Sequence, residues 1–68
     1  MFLQVTGCDA FLLPYGYQKP TQMSINTEDV ASFVKFERKD EYKTGVLLKD
    51  GRSIAITEDF NSFAKKMS

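Results

Sequence analysis

Between Val30 and Ile56 the large apolar residues fall mainly on even positions: Val30, Val34, Phe36, Tyr42, Val46, Leu48, Ile54 and Ile56. A period of two is the signature of strands with one buried face. Lys49-Asp50-Gly51 interrupts the pattern and predicts a hairpin turn, since Asp-Gly between apolar runs favours tight reversal. Parity fixes the loop length. A two-residue loop would pair Leu47 with Ile54 and split the apolar set between faces. A three-residue loop pairs Leu48 with Arg52, Val46 with Ile54 and Thr44 with Ile56, which keeps Val46, Leu48, Ile54 and Ile56 together. A type I turn with a glycine bulge is therefore expected. Upstream, Glu37 to Glu41 is charged throughout and reads as a second hairpin tip. Centred on Lys39, it pairs Phe36 with Tyr42 and Val34 with Thr44, again on the even face. The opposite face would then carry Ala31, Phe33, Leu47 and Ala55 among Lys35, Lys43 and Lys49.

After Ile56 the period changes. Phe60, Phe63, Ala64 and Met67 make one helical stripe. Thr57 is the expected N-cap, with Glu58 and Asp59 in the first turn and Lys65 and Lys66 in the last, as the helix dipole favours. A helix over 57–67 is too short to stand alone, so it should dock on the even face.

Before Val30 the pattern is weaker. Leu3 and Val5 alternate with Phe2 and Gln4, which predicts a strand broken at Gly7-Cys8-Asp9. Ala10 to Leu13 is a short apolar run ended by Pro14, and residues 1–13 are expected as an N-terminal hairpin. Residues 14–21 hold two prolines, a glycine and two of the three tyrosines, which predicts an irregular loop. The expected fold is a single α+β domain. Residues 1–13 form the hairpin, 14–21 the loop, 22–56 a β-meander and 57–67 the helix. The sheet is mostly antiparallel, with four or five strands.

The run Ser24-Ile25-Asn26, Val30, Phe33, Val46-Leu47-Leu48-Lys49-Asp50-Gly51 and Ile54 to Phe60 resembles small bacterial proteins of the flagellar FlbD type. It is also similar to the terminal hairpin and helix of LytTR DNA-binding domains. The resemblance covers residues 24–67. It implies the same strand, hairpin and helix order and points to regulation, and it assigns no functional residue; whether the chain is of bacterial or phage origin is left open. Cys8 to Gln22 departs from the FlbD pattern as an insertion, and the basic DNA-contacting loops of LytTR domains have no counterpart.

Composition narrows the function. A chain of 68 residues buries only about 60% of its unfolded surface. One cysteine forms no internal disulfide, and without histidine the usual zinc ligand set is missing. Nine basic residues balance nine acidic ones, which removes the electrostatic footprint of a whole-domain DNA binder. Val5-Thr6-Gly7-Cys8 is similar to a lipoprotein cleavage box. No basic segment precedes it, and seven residues are too few for an apolar signal core. No apolar run reaches the roughly 18 residues of a membrane span. A cytoplasmic protein is expected.

No catalytic residue is expected. The commonest general base is absent, and Cys8 has no histidine to activate it. Each carboxylate has a turn, capping or solvated position to explain it, and no metal or cofactor is expected. A domain this small also leaves little room for a cleft of about 300 Å³ or more. The reading is a non-catalytic regulatory or accessory module that binds another protein or copies of itself. Phe33, Leu47, Tyr15 and Tyr17 are the expected contacts. Two alternatives stand beside it. One is a single-stranded nucleic-acid binder using Tyr15, Tyr17, Lys19, Lys35 and Arg52, because aromatics with cations stack bases. The other is an oligomeric protein that sequesters a small molecule between subunits.

Overall fold

The computed structural model describes all residues, 1–68. Its elements in order are β1 (Phe2–Asp9), a 3-10 helix (Ala10–Tyr15), β2 (Thr21–Asn26), a short 3-10 turn (Thr27–Asp29), β3 (Val30–Lys35), β4 (Thr44–Leu48), β5 (Ser53–Ile56) and α1 (Phe60–Met67). The five strands form one antiparallel sheet in the order β2-β1-β5-β4-β3. It is a small α+β fold, with a β3-β4-β5 meander and one C-terminal helix.

The sheet has to curl. The two outermost strands, β2 and β3, are consecutive in the chain. Asn26 to Val30 is four Cα steps, a reach of about 15 Å at most. Flat, five strands would hold their edges about 19 Å apart. The connection is held at both ends: the Thr27 N–H donates to the Met1 carbonyl at 2.8 Å, and Lys49 N–H donates to the Asp29 carbonyl at 2.8 Å. Curling wraps an inner face around Val5, Ile25, Val46, Leu48, Ile54, Ile56 and Phe63.

The β4-β5 hairpin has the predicted register, with Val46 opposite Ile54 and Thr44 opposite Ile56. Leu48 N–H donates to Arg52 O at 2.8 Å, and Gly51 N–H donates to Leu48 O at 3.0 Å. Gly51 has φ +94, a backbone that favours glycine. The Asp50 carboxylate accepts the Arg52 N–H at 3.0 Å and so sits below its usual range.

The β3-β4 register differs from the expected one. Phe33 lies opposite Val46, Val34 opposite Gly45 and Lys35 opposite Thr44, and the Phe36 N–H reaches the Lys43 carbonyl at 2.9 Å. The cause is an irregularity at Ala31, between the Val30–Leu48 and Ser32–Leu47 pairs. One extra residue reverses the alternation beyond it. Val30 and Phe33 therefore both pack on the inner cluster, while Val34 is 54% exposed on the outer face.

The N-terminal part is also rearranged. β1 runs through Gly7-Cys8-Asp9 instead of stopping there, and its hairpin partner is Thr21–Asn26. Ala10–Tyr15 is helical, not a strand, and part of the expected irregular loop belongs to it. Asp9 is the reason: its carboxylate caps the Phe11 N–H at 3.1 Å. This 3-10 helix packs over a second cluster of Cys8, Tyr42 and Ala55, with Ala10, Leu13 and Phe36 around it.

The helix α1 starts later than expected. Asp59, not Thr57, is the N-cap, and its carboxylate accepts the Asn61 N–H at 3.0 Å. Thr57 is instead fastened to β1, its N–H donating to Thr6 O at 2.9 Å. The buried Thr44 hydroxyl donates to Glu58 O at 2.7 Å and fixes the approach to the helix. Phe63 is fully buried, and Phe33 meets Phe63 edge-on at 5.1 Å and Phe60 at 5.3 Å.

Candidate interaction surface

The outer face is the side of the sheet away from Phe63. Its β5 end is closed, because Ala55 is fully buried under the second cluster. Its β3-β4 end is open. There Ser32, Val34, Phe36, Gly45, Leu47 and Ser53 contribute to a groove of about 250 Å³. Gly45 is buried beneath the Phe36 ring, which occupies the space a side chain there would need, and the two together form part of the groove wall. Leu47 remains 41% exposed beside it.

Ser53 also borders a second, open depression of about 520 Å³, lined with Asp9, Ala10, Phe11, Gly51 and Arg52. This space is larger than the sequence led us to expect for so small a domain. Two of its six lining residues are apolar, fewer than a ligand pocket commonly has. On its far side the 3-10 helix exposes Phe11, Leu12 and Tyr15, with the Phe11 and Tyr15 rings tilted at 5.9 Å. The two openings therefore meet at Ser53, with Val34 and Leu47 at one and Phe11, backed by Tyr15, at the other.

The expected contact residues divide. Leu47 is on the open face and Tyr15 is exposed against Phe11. Phe33 is not on the expected face: its ring packs inward against Phe60 and Phe63, as the bulge requires, while the residue still contributes to the lining of the groove. Tyr17 is exposed, but its hydroxyl donates to Glu41 Oε1 at 3.0 Å, and that bond raises its pKa. Of the residues expected to contact nucleic acid, Lys35 and Arg52 are not neighbours. Lys35 lies opposite Thr44 and Arg52 beside Leu48, at the two ends of β4. Four strand rises separate these ends by about 13 Å. Arg52 Nε is paired with Asp50 Oδ2 at 2.9 Å, and Tyr17 faces a carboxylate that would repel phosphate. Lys19 follows Tyr17 in the same connection.

Val34, Gly45, Ser53, Phe11 and Leu12 were not among the expected contacts. Asp9 ahead of an apolar run was a legible helix-start signal for Phe11 and Leu12. No sequence signal marks the bulge that turns Val34 outward. Comparison with protein-family models, curated proteins and solved structures finds no match for this chain. No three of its cysteine and acidic side chains are grouped closely enough to hold a metal ion. No helix is long and apolar enough to cross a membrane.

Tyr42 ties the Tyr17 segment to the sheet. It is buried beneath that segment, and its hydroxyl donates to the Gln18 carbonyl. Burial pushes its pKa well above the ordinary 10.0, with Cys8 and nearby acidic groups adding to the shift. The folded state thus holds the proton after the unfolded chain has lost it. Stability is expected to be unaffected by this group below about pH 10 and to fall as pH rises from there. Tyr42→Phe should cost about 1 kcal/mol at neutral pH for the lost hydrogen bond and should flatten the alkaline decline. Urea midpoints across the pH range check both parts. An equally steep decline in Tyr42→Phe would assign it to another group.

Proposed function

We propose that this chain is a small non-catalytic module that works by docking another protein on the open end of its outer face. The observation that carries this reading is the set of exposed apolar side chains at two openings that meet at Ser53: Val34 and Leu47 on the sheet, and Phe11 with Tyr15 against it on the 3-10 helix. Exposed apolar groups gathered on one side mark interaction sites more often than singly scattered ones do. The groove beside Val34, Phe36 and Leu47 gives an anchoring side chain a place to enter, as interface hot spots require. A regulatory or accessory role follows the FlbD-like and LytTR-like run of Ser24 to Phe60. The unpaired Cys8 suits a reducing compartment such as the cytoplasm.

Selection of binders from a displayed random-peptide library tests the surface. Selected peptides should shift the amide signals of Val34, Gly45, Leu47 and Ser53. They should lose about tenfold or more in affinity, roughly 1.4 kcal/mol, against Leu47→Asp. Peptides that bind Leu47→Asp equally well would contradict the reading. So would single-stranded oligonucleotide binding that falls steeply with salt and is lost in Tyr15→Ala with Tyr17→Ala.

A further inference from the structure

The two sheet edges are not alike. β3 carries the devices that blunt an edge: an irregularity at Ala31 and a charged residue, Lys35, at its end. β2 has none. Its six residues pair with β1 without a register shift, and Thr21-Gln22-Met23-Ser24-Ile25-Asn26 contains no charge and no proline. Thr21, Gln22 and Ser24 are exposed.

The unpaired backbone groups of β2 can be named. The bond from Thr27 N–H to Met1 O continues the β1-β2 register. Hydrogen-bonded pairs alternate along an antiparallel ladder, so Ile25, Met23 and Thr21 direct their groups at β1. Gln22, Ser24 and Asn26 direct theirs outward. No backbone hydrogen bond outside the regular elements uses these three residues. The Asn26 carbonyl stands at the N-cap of the Thr27–Asp29 turn, where a 3-10 turn accepts its first bond.

We propose that β2 pairs antiparallel with β2 of a second copy, about a two-fold axis through Met23. In this register Gln22 exchanges both backbone bonds with Ser24 of the other copy, and Ser24 with Gln22. The Asn26 N–H donates to the Pro20 carbonyl. The return bond at that pair would need a Pro20 N–H and a free Asn26 carbonyl; the proline lacks the first and the 3-10 turn engages the second. Every outward group free to pair is thus paired. Side chains agree with this register. On the inner face Met23 meets Met23, and Thr21 meets Ile25. On the outer face Gln22 meets Ser24, two exposed polar groups. Lys19 precedes the strand and Glu28 follows it, so antiparallel pairing brings the basic end of each strand to the acidic end of the other. A two-fold contact of this kind closes as a dimer. It leaves the Val34–Leu47 groove, on the opposite side of the strand order, free for another partner.

Sedimentation equilibrium from micromolar to millimolar concentration tests the dimer. The expected mass approaches twice 7.8 kDa at the top of the range. Ser24→Pro removes an outward N–H and no bond of the β1-β2 ladder, so it should give a folded chain of single mass. Two doubly charged variants guard against a folding defect. Gln22→Lys with Ser24→Lys, and Gln22→Glu with Ser24→Glu, place like charges opposite each other across the axis. Each alone should remain at single mass, and an equimolar mixture should restore double mass. A wild-type chain that stays at single mass at millimolar concentration overturns the proposal. So does a dimer that persists in either doubly charged variant, or a mixture that fails to associate.

Discussion

Phe63→Ala is expected to remove about 3–5 kcal/mol of folding stability, the usual cost of truncating a buried aromatic. A domain of this length has roughly 3–10 kcal/mol to lose, so this one truncation removes a large share of the total. The size of the effect comes from topology. α1 has eight residues and one fully buried side chain, Phe63. That ring enters the same cluster as Val5, Ile25 and Ile56, and it meets Phe33 edge-on. Truncation therefore opens a cavity inside the curled sheet and releases the helix that covers it. Urea unfolding followed by circular dichroism should show a midpoint far below that of the parent chain. A loss below about 1 kcal/mol would mean that the helix is an accessory, since surface positions typically change stability by no more than about 0.5 kcal/mol.

Gly7→Ala is expected to be nearly as damaging, at about 3 kcal/mol, the upper part of the range for overpacking. Gly7 lies between two strands, opposite Thr21 on one side and Ile56 on the other. A β-carbon there would overlap the Ala55 carbonyl oxygen and come within 2.9 Å of Ile56 Cα. Both are backbone atoms of β5, so relief requires β1 and β5 to separate. Gly45→Ala provides the comparison. Its β-carbon would meet the Phe36 ring, a side chain on the open outer face that can turn aside. Thermal unfolding of the two variants should rank Gly7→Ala well below Gly45→Ala. Equal midpoints would mean that β1 does not approach β5 this closely.

The parts of the fold legible in the sequence are those where one local rule acts without competition. Parity placed the Lys49-Asp50-Gly51 turn and the β4-β5 register, because a glycine turn and a buried face agree there. Spacing alone showed the Phe60, Phe63 and Met67 stripe. Parity failed in β3, where a single inserted residue at Ala31 sends Val34 outward and Phe33 inward. Nothing in Val30-Ala31-Ser32 announces the insertion, since its cause is non-local: Asp29 and Val30 are held by Lys49 and Leu48 while the curl closes. Parity therefore assigns Phe33 to the outer face and Val34 to the inner one, the reverse of what the bulge produces. The pairing of β1 with Thr21–Asn26 was hidden for a different reason. A capped 3-10 helix and a proline segment lie between them, and Asp9 after Gly7-Cys8 has the local signature of a strand break as well as that of a cap. The outward placement of Leu47 is legible from its parity with Ala55, which holds because β4 and β5 pair without a register shift.

The open outer face depends on that one register, and a single comparison of urea midpoints tests it. Phe33→Asp and Leu47→Asp would be measured beside the parent chain. Phe33→Asp should unfold the domain, because it directs a carboxylate at Phe60, Phe63 and Val46 with no partner for the charge. Leu47→Asp should stay folded, within about 1 kcal/mol of the parent, because its side chain reaches solvent. The reverse ranking, with Leu47→Asp unfolded and Phe33→Asp stable, would place Leu47 in the core, and the proposed docking surface would not exist.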